Sequence, residues 1–84
     1  MTWLWPQGQP IAVVANDRTE PVQFTWQGGA HRVTGITRHW RVDLGWWQGR
    51  VWRDYFKLST DTGLLVIIYH DLTQNEWYLQ RLYD

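Results

Sequence analysis

The sequence predicts an all-β fold: about six short strands in a single antiparallel meander, either a strongly bent sheet or a small barrel. Three observations carry that expectation. Apolar and polar residues alternate in short segments separated by turn-forming residues. Two adjacent glycines, Gly28 and Gly29, sit between two such segments, where a tight hairpin turn needs positive φ angles. No segment keeps the 3.6-residue apolar period over ten or more positions, as a helix requires.

The elements follow in order. Residues 1–10 contain Pro6, Gly8 and Pro10 and read as an extended arm preceding a single domain, residues 11–84. Within the arm, Trp3, Leu4 and Trp5 are too apolar to stand in water. They are expected to cover an open face of the domain or to meet a partner. Residues 11–15 read as a strand, Asn16 to Glu20 as a polar turn, and Pro21 as a strand start, where a missing N–H costs little. Across Gly28-Gly29 the expected register pairs Gln27 with Ala30, Trp26 with His31, Thr25 with Arg32 and Phe24 with Val33. One face then carries Phe24, Trp26, His31 and Val33; the other carries Gln23, Thr25, Arg32 and Thr34.

At Gly35 the phase of the apolar positions changes, which predicts a bulge or sharp bend. Residues 43–49 hold two glycines and are expected to form a loop or hairpin end bearing Trp46 and Trp47. Residues 50–59 return as a strand with Trp52, Phe56 and Leu58 on one side and Arg53, Tyr55 and Lys57 on the other. Thr60 to Gly63 is a short hairpin loop. Residues 64–70 (Leu-Leu-Val-Ile-Ile-Tyr-His) are apolar on both faces, as in a central strand covered on each side. The second cover is expected from the Trp3–Trp5 arm or from another subunit. Asp71 to Asn75 turns the chain, and residues 76–83 are the last strand.

With 84 residues and 8 tryptophans, the core must be dense in large side chains, and the tryptophans are expected to supply that density. There is no cysteine, which fits a reducing cytoplasm. The N-terminus shows no secretory pattern. The longest apolar run, residues 64–69, is far below the roughly 20 residues of a membrane span.

The net charge is zero, but it is unevenly spread. Residues 31–57 hold Arg32, Arg38, Arg41, Arg50, Arg53 and Lys57 against Asp43 and Asp54. That makes the middle third the one candidate anion-binding region, the alternative being that its cations pair with the acidic C-terminal third. Its heart is residues 39–58, where Trp40, Trp46, Trp47, Trp52, Tyr55 and Phe56 interleave with Arg41, Arg50, Arg53 and Lys57. Such a surface can stack on planar groups and pair with anions. If Trp46 and Trp47 are extended they point to opposite faces and cannot both enter one core, so at least one belongs at the surface beside Arg50. The alternative is that the loop folds back and both rings cap the barrel end.

Catalytic chemistry finds little support. The lone serine, Ser59, has no nucleophile-elbow context, and no phosphate-cradling glycine motif occurs. His31, His39 and His70 match no metal-ligand spacing. Asp54 interrupts the apolar set Trp52, Phe56, Leu58, and a buried carboxylate there needs a partner, with Arg41 or Arg81 in reach from a neighbouring strand. A structural ion pair is the expectation, not a general base. No catalytic residue, metal or cofactor is expected.

Taken together, several features resemble a family of small uncharacterised bacterial domains. These are Pro10-Ile11, Phe24-Thr25-Trp26 with its glycine turn, His31-Arg32-Val33, Trp40, and the pair Trp46-Trp47. They continue with the run Arg53-Asp54-Tyr55-Phe56-Lys57-Leu58, then Trp77-Tyr78-Leu79 with Arg81, Tyr83 and Asp84. Members of that family occur alone, beside, or fused to Y-family translesion polymerases. The resemblance therefore implies a DNA-repair setting by association, and no activity.

The functional expectation is a non-enzymatic binding module that meets a protein partner or a second copy of itself, with Trp3, Leu4 and Trp5 as the partner surface. The alternative is weak binding of single-stranded nucleic acid. In that case Arg41, Arg50, Arg53 and Lys57 meet phosphates, and Trp46 or Trp47 stacks on a base.

Overall fold

The computed structural model describes residues 2–47 and 49–83, with Trp46 described in its backbone only. Six strands follow one another: β1 (Thr2–Ala15), β2 (Pro21–Trp26), β3 (Gly29–Trp46), β4 (Gly49–Thr60), β5 (Leu65–Asp71) and β6 (Glu76–Tyr83). Each pairs antiparallel with the next, and β1 returns to pair with β6, so the ring of pairings closes. No helix occurs among the described residues, and none is therefore long and apolar enough to cross a membrane.

The barrel is uneven because two long strands divide their pairing. β1 pairs with β6 through Thr2, Trp3, Leu4, Gln9, Pro10 and Ile11, then with β2 from Ala12 to Ala15. β3 pairs with β2 from Gly29 to Arg32 and with β4 from Val33 onward. The switch coincides with register shifts around Gly35 and between Ile36 and Arg38. The bend expected at Gly35 is therefore present, and it is where β3 changes neighbour. Beyond Arg53 the β3–β4 hairpin runs past β5 as a two-stranded ribbon to Trp46 and Gly49. Of the loop or hairpin end expected at residues 43–49, the structure has the hairpin end: residues 43–46 are ladder residues, and the loop is confined to the ribbon tip.

Residues 2–10, expected as an arm outside the domain, belong to the sheet as the longer part of β1. Between Leu4 and Gln9 the ladder breaks, and the chain arches over the outer side of β5 and β6. There the backbone carbonyl of Gln7 accepts a hydrogen bond from the Tyr69 hydroxyl at 3.0 Å. The outer cover of β5 is this arch together with neighbouring side chains, and not Trp3 and Trp5. The turn at the β2–β3 hairpin is Gln27-Gly28, both at positive φ (51° and 78°). Its register pairs Phe24 with His31 and Trp26 with Gly29. The expected register was two residues out of step. A slip of two preserves the pleat, so the two faces are as expected.

The core is Phe24, Phe56, Leu58, Val66, Ile68 and Leu79, with Trp5, Trp26 and Trp77 packed at its margins. No tryptophan among the described side chains is fully buried, contrary to the expectation that tryptophan fills the interior. An indole is too large to fit wholly inside so narrow a barrel and settles at its rim. The smaller Phe, Leu, Ile and Val take the centre.

Candidate binding surfaces

Strand periodicity sorts the middle third onto two faces. On the inner face the register sets Arg41 opposite Asp54 and Asp43 opposite Trp52. The Arg41 guanidinium donates from Nε to Asp54 Oδ1 at 2.6 Å and from Nη2 to Oδ2 at 3.1 Å. Its hydrogen bonds and charge hold the Asp54 carboxyl below the usual carboxylate range, and His39, 3.7 Å away, adds to this. Arg50 forms the same fork with Asp43, at 3.2 and 3.1 Å. Both guanidiniums lie over the Trp52 ring, Arg50 the closer at 4.5 Å. Asp54 is thus the structural ion pair expected of it, with Arg41 as the partner. A carboxylate occupied at both oxygens and kept ionised is poorly suited to take a proton.

This pair makes stability depend on acid. A carboxyl whose pKa is lowered by folding stabilises the fold above its ordinary value of about 3.8 and stops doing so as pH falls through the folded value. Asp71 behaves alike: burial opposes the shift, but donation from Thr73 and Gln74 outweighs it. The unfolding midpoint is therefore expected to fall steeply from about pH 4 downward. In Asp54→Asn that acid branch becomes shallower without vanishing, because Asp71 remains. An acid branch identical in wild type and variant, followed by thermal denaturation between about pH 2 and 6, contradicts this account.

The outer face is a layered array. One cross-strand row is Trp40, Tyr55, Tyr69, Tyr78, with successive ring centroids 5.3, 5.1 and 5.0 Å apart. Tyr69 is only 2% exposed, and its burial raises the hydroxyl pKa. Cations cover the rings: Arg38 over Trp40 at 4.8 Å, Arg53 over Tyr69 at 4.5 Å, and Lys57 and Arg81 over Tyr83 at 5.1 and 5.7 Å. Arg53 also donates to the Tyr55 hydroxyl and Arg81 to that of Tyr83.

Of the residues expected to act together, Arg53 and Lys57 share this outer face, whereas Arg41 and Arg50 lie on the inner one. The ribbon tip presents Trp47, 90% exposed; the side chain of Trp46 lies outside the described residues. The expected single cluster of Arg41, Arg50, Arg53, Lys57 and Trp47 is therefore divided by the sheet. In the sequence Arg38 is counted only in the cationic middle third, and Arg81 and Tyr83 are given no binding role. A signal for them existed: Arg-x-aromatic occurs at Arg38-His39-Trp40, Arg50-Val51-Trp52, Arg53-Asp54-Tyr55 and Arg81-Leu82-Tyr83. Residues two apart on a strand share a face, so each motif lays an arginine beside a ring.

A third feature lies where the start of β1 meets the β2–β3 turn. Trp3 and Trp5 stack with centroids 6.5 Å apart, and Trp5 meets Trp26 edge-on at 5.1 Å. With Gln27 and Leu82 they line a largely apolar cleft of about 180 Å³. A shallower hollow along Trp5, Pro6, Gln7 and Gly8 adjoins it. Leu4, expected to join Trp3 and Trp5, pairs with Arg81 and so sits on the opposite side of the sheet.

Among the described residues no group of His, Asp or Glu is placed to hold a metal ion. Comparison with family models, curated proteins and solved structures gives no match for this chain.

Proposed function

We propose that the chain is a non-enzymatic protein-interaction module of the cytoplasm whose docking site is the Trp3–Trp5–Trp26 cleft. The observation that supports this is the cleft's size and lining. At about 180 Å³ the cleft itself falls below the roughly 300–1,000 Å³ of small-molecule sites, and the hollow of about 400 Å³ beside it is open to solvent rather than enclosing. The cleft suits one or two apolar side chains of a protein ligand. Its rings are the residue type that dominates interface energetics, and Trp3 remains half exposed. The resemblance to domains found beside translesion polymerases makes repair proteins the first partners to test, and a second copy of the chain the simplest.

Peptides selected from a random library on the intact protein test the reading. They are expected to share an apolar or aromatic anchor and to shift tryptophan emission on binding. Trp3→Ala should weaken them about thirtyfold, the scale of a hot-spot tryptophan, while Trp47→Ala leaves affinity unchanged. Selected peptides that bind Trp3→Ala as well as wild type sink the proposal. Sedimentation of wild type and Trp3→Ala reads self-association through the same cleft.

A further inference from the structure

The cross-strand register places three cations in one line on the outer face. Arg38 pairs with Lys57, Lys57 with Ile67, and Ile67 with Arg81. At roughly 4.8 Å per strand the row spans about 14 Å. Among the described residues it contains no carboxylate: Asp71 and Glu76 pair with each other two rows away, on the far side of the tyrosines. The ion pairs among the described residues belong to Arg41, Arg50 and His39 on the inner face, and the row takes no part in them. Each of its cations rests on a ring, Arg38 on Trp40, Lys57 and Arg81 on Tyr83. A ring beside each cation limits its rotation and leaves it donors for an anion.

We infer that this row, Arg38–Lys57–Arg81, is a binding site for the phosphate backbone of single-stranded nucleic acid. Alternating phosphates of a flexible strand can follow a line of cations on a curved sheet, as small β-barrels do with single strands. The half-buried aromatics Trp40 and Tyr83 flank the row on either side and give flat apolar ground for bases. A row about 14 Å long suits one strand of a few nucleotides better than the two backbones of a duplex. Opposite charge and the absence of carboxylates in the row choose an anion. The flanking rings favour nucleic acid over an acidic peptide. The site is separate from the tryptophan cleft and does not depend on its role.

Three phosphate contacts give weak binding, with a dissociation constant on the order of 10⁻⁵–10⁻⁴ M at low salt. They also give a slope of log K against log salt near −2, from about −0.7 per contact on a single strand. The test is fluorescence anisotropy of a labelled oligothymidine with the intact protein between about 20 and 200 mM salt. Wild type should bind with that slope, and the triple variant Arg38→Gln, Lys57→Gln, Arg81→Gln should lose at least tenfold in affinity. Arg50→Gln, on the inner face, should bind like wild type. Should the triple variant fail to fold by circular dichroism, each single variant is expected to reduce the slope by about 0.7. The inference is overturned by absence of binding at the lowest salt, or by an unchanged slope in the folded variants. Competition by polyglutamate as strong as by unlabelled oligothymidine also overturns it.

Discussion

Replacing Gly8 with alanine is expected to lower the unfolding midpoint by about 10–20 °C, the shift that roughly 2–3 kcal/mol produces in a domain this small. Two causes add. Gly8 has φ of +82°, where a side chain costs about 1–3 kcal/mol. A Cβ there would also stand 2.7 Å from Tyr78 Cβ and 2.8 Å from the Tyr69 hydroxyl, closer than carbon tolerates. Neither neighbour can yield easily, because Tyr69 and Tyr78 stack on each other in the outer array and Tyr69 is fixed to the Gln7 carbonyl. Lifting the arch to make room would expose Tyr69 and pull Trp5 from Trp26, so the cleft should open as well. Gly28 supplies the control. Its φ is similar, +78°, but nothing lies within 4 Å of a Cβ built there. Gly28→Ala should therefore cost only the backbone part, about 1–2 kcal/mol. Thermal denaturation of both variants decides the matter. A Gly8→Ala midpoint no lower than that of Gly28→Ala would show that the arch is not held against the tyrosines.

The sheet was legible in the sequence because its signals are local. Pro21, Gly63 and Asn75 each sit where their backbone chemistry requires, and the two-faced apolar run at residues 64–70 falls on β5, which is covered on both faces. Closure was less legible. Whether residues 2–10 pair with β6 depends on contacts far apart in sequence, and Pro6, Gly8 and Pro10 argued locally against a strand. Pro6 and Gly8 instead lie in the arch in the middle of β1, and Pro10 is back in the ladder opposite Tyr78. The face of each cation was readable in principle, since strand period two assigns Arg53 and Lys57 to one side and Arg50 to the other. That sorting needs only the strand expected at residues 50–59, which β4 contains. Sequence could not rank the aromatics, because composition does not say which rings sit at the centre and which at the rim.

That ranking gives the second large effect. Phe56 is 1% exposed and packs between the His39 ring, 4.3 Å away, and Trp77, 5.8 Å away. It also belongs to the cluster with Leu58, Val66 and Ile68 that joins both halves of the barrel. Phe56→Ala should cost about 3–5 kcal/mol, since β4 and β5 are held by ladders on both sides and cannot collapse into the vacated space. Small domains have stabilities near the low end of about 5–15 kcal/mol, so the variant is expected to be largely unfolded near body temperature. Phe56→Leu keeps most of the volume and should remain folded at a cost of about 1–2 kcal/mol, which provides a measurable point if alanine does not. Trp47 is the larger residue and the less consequential one. At 90% exposure it contributes almost no buried area, and Trp47→Ala should stay within about 0.5 kcal/mol of wild type. Urea denaturation followed by circular dichroism measures all three. A Trp47→Ala loss comparable to that of Phe56→Leu would mean that the ribbon tip folds back onto the barrel, against the geometry described.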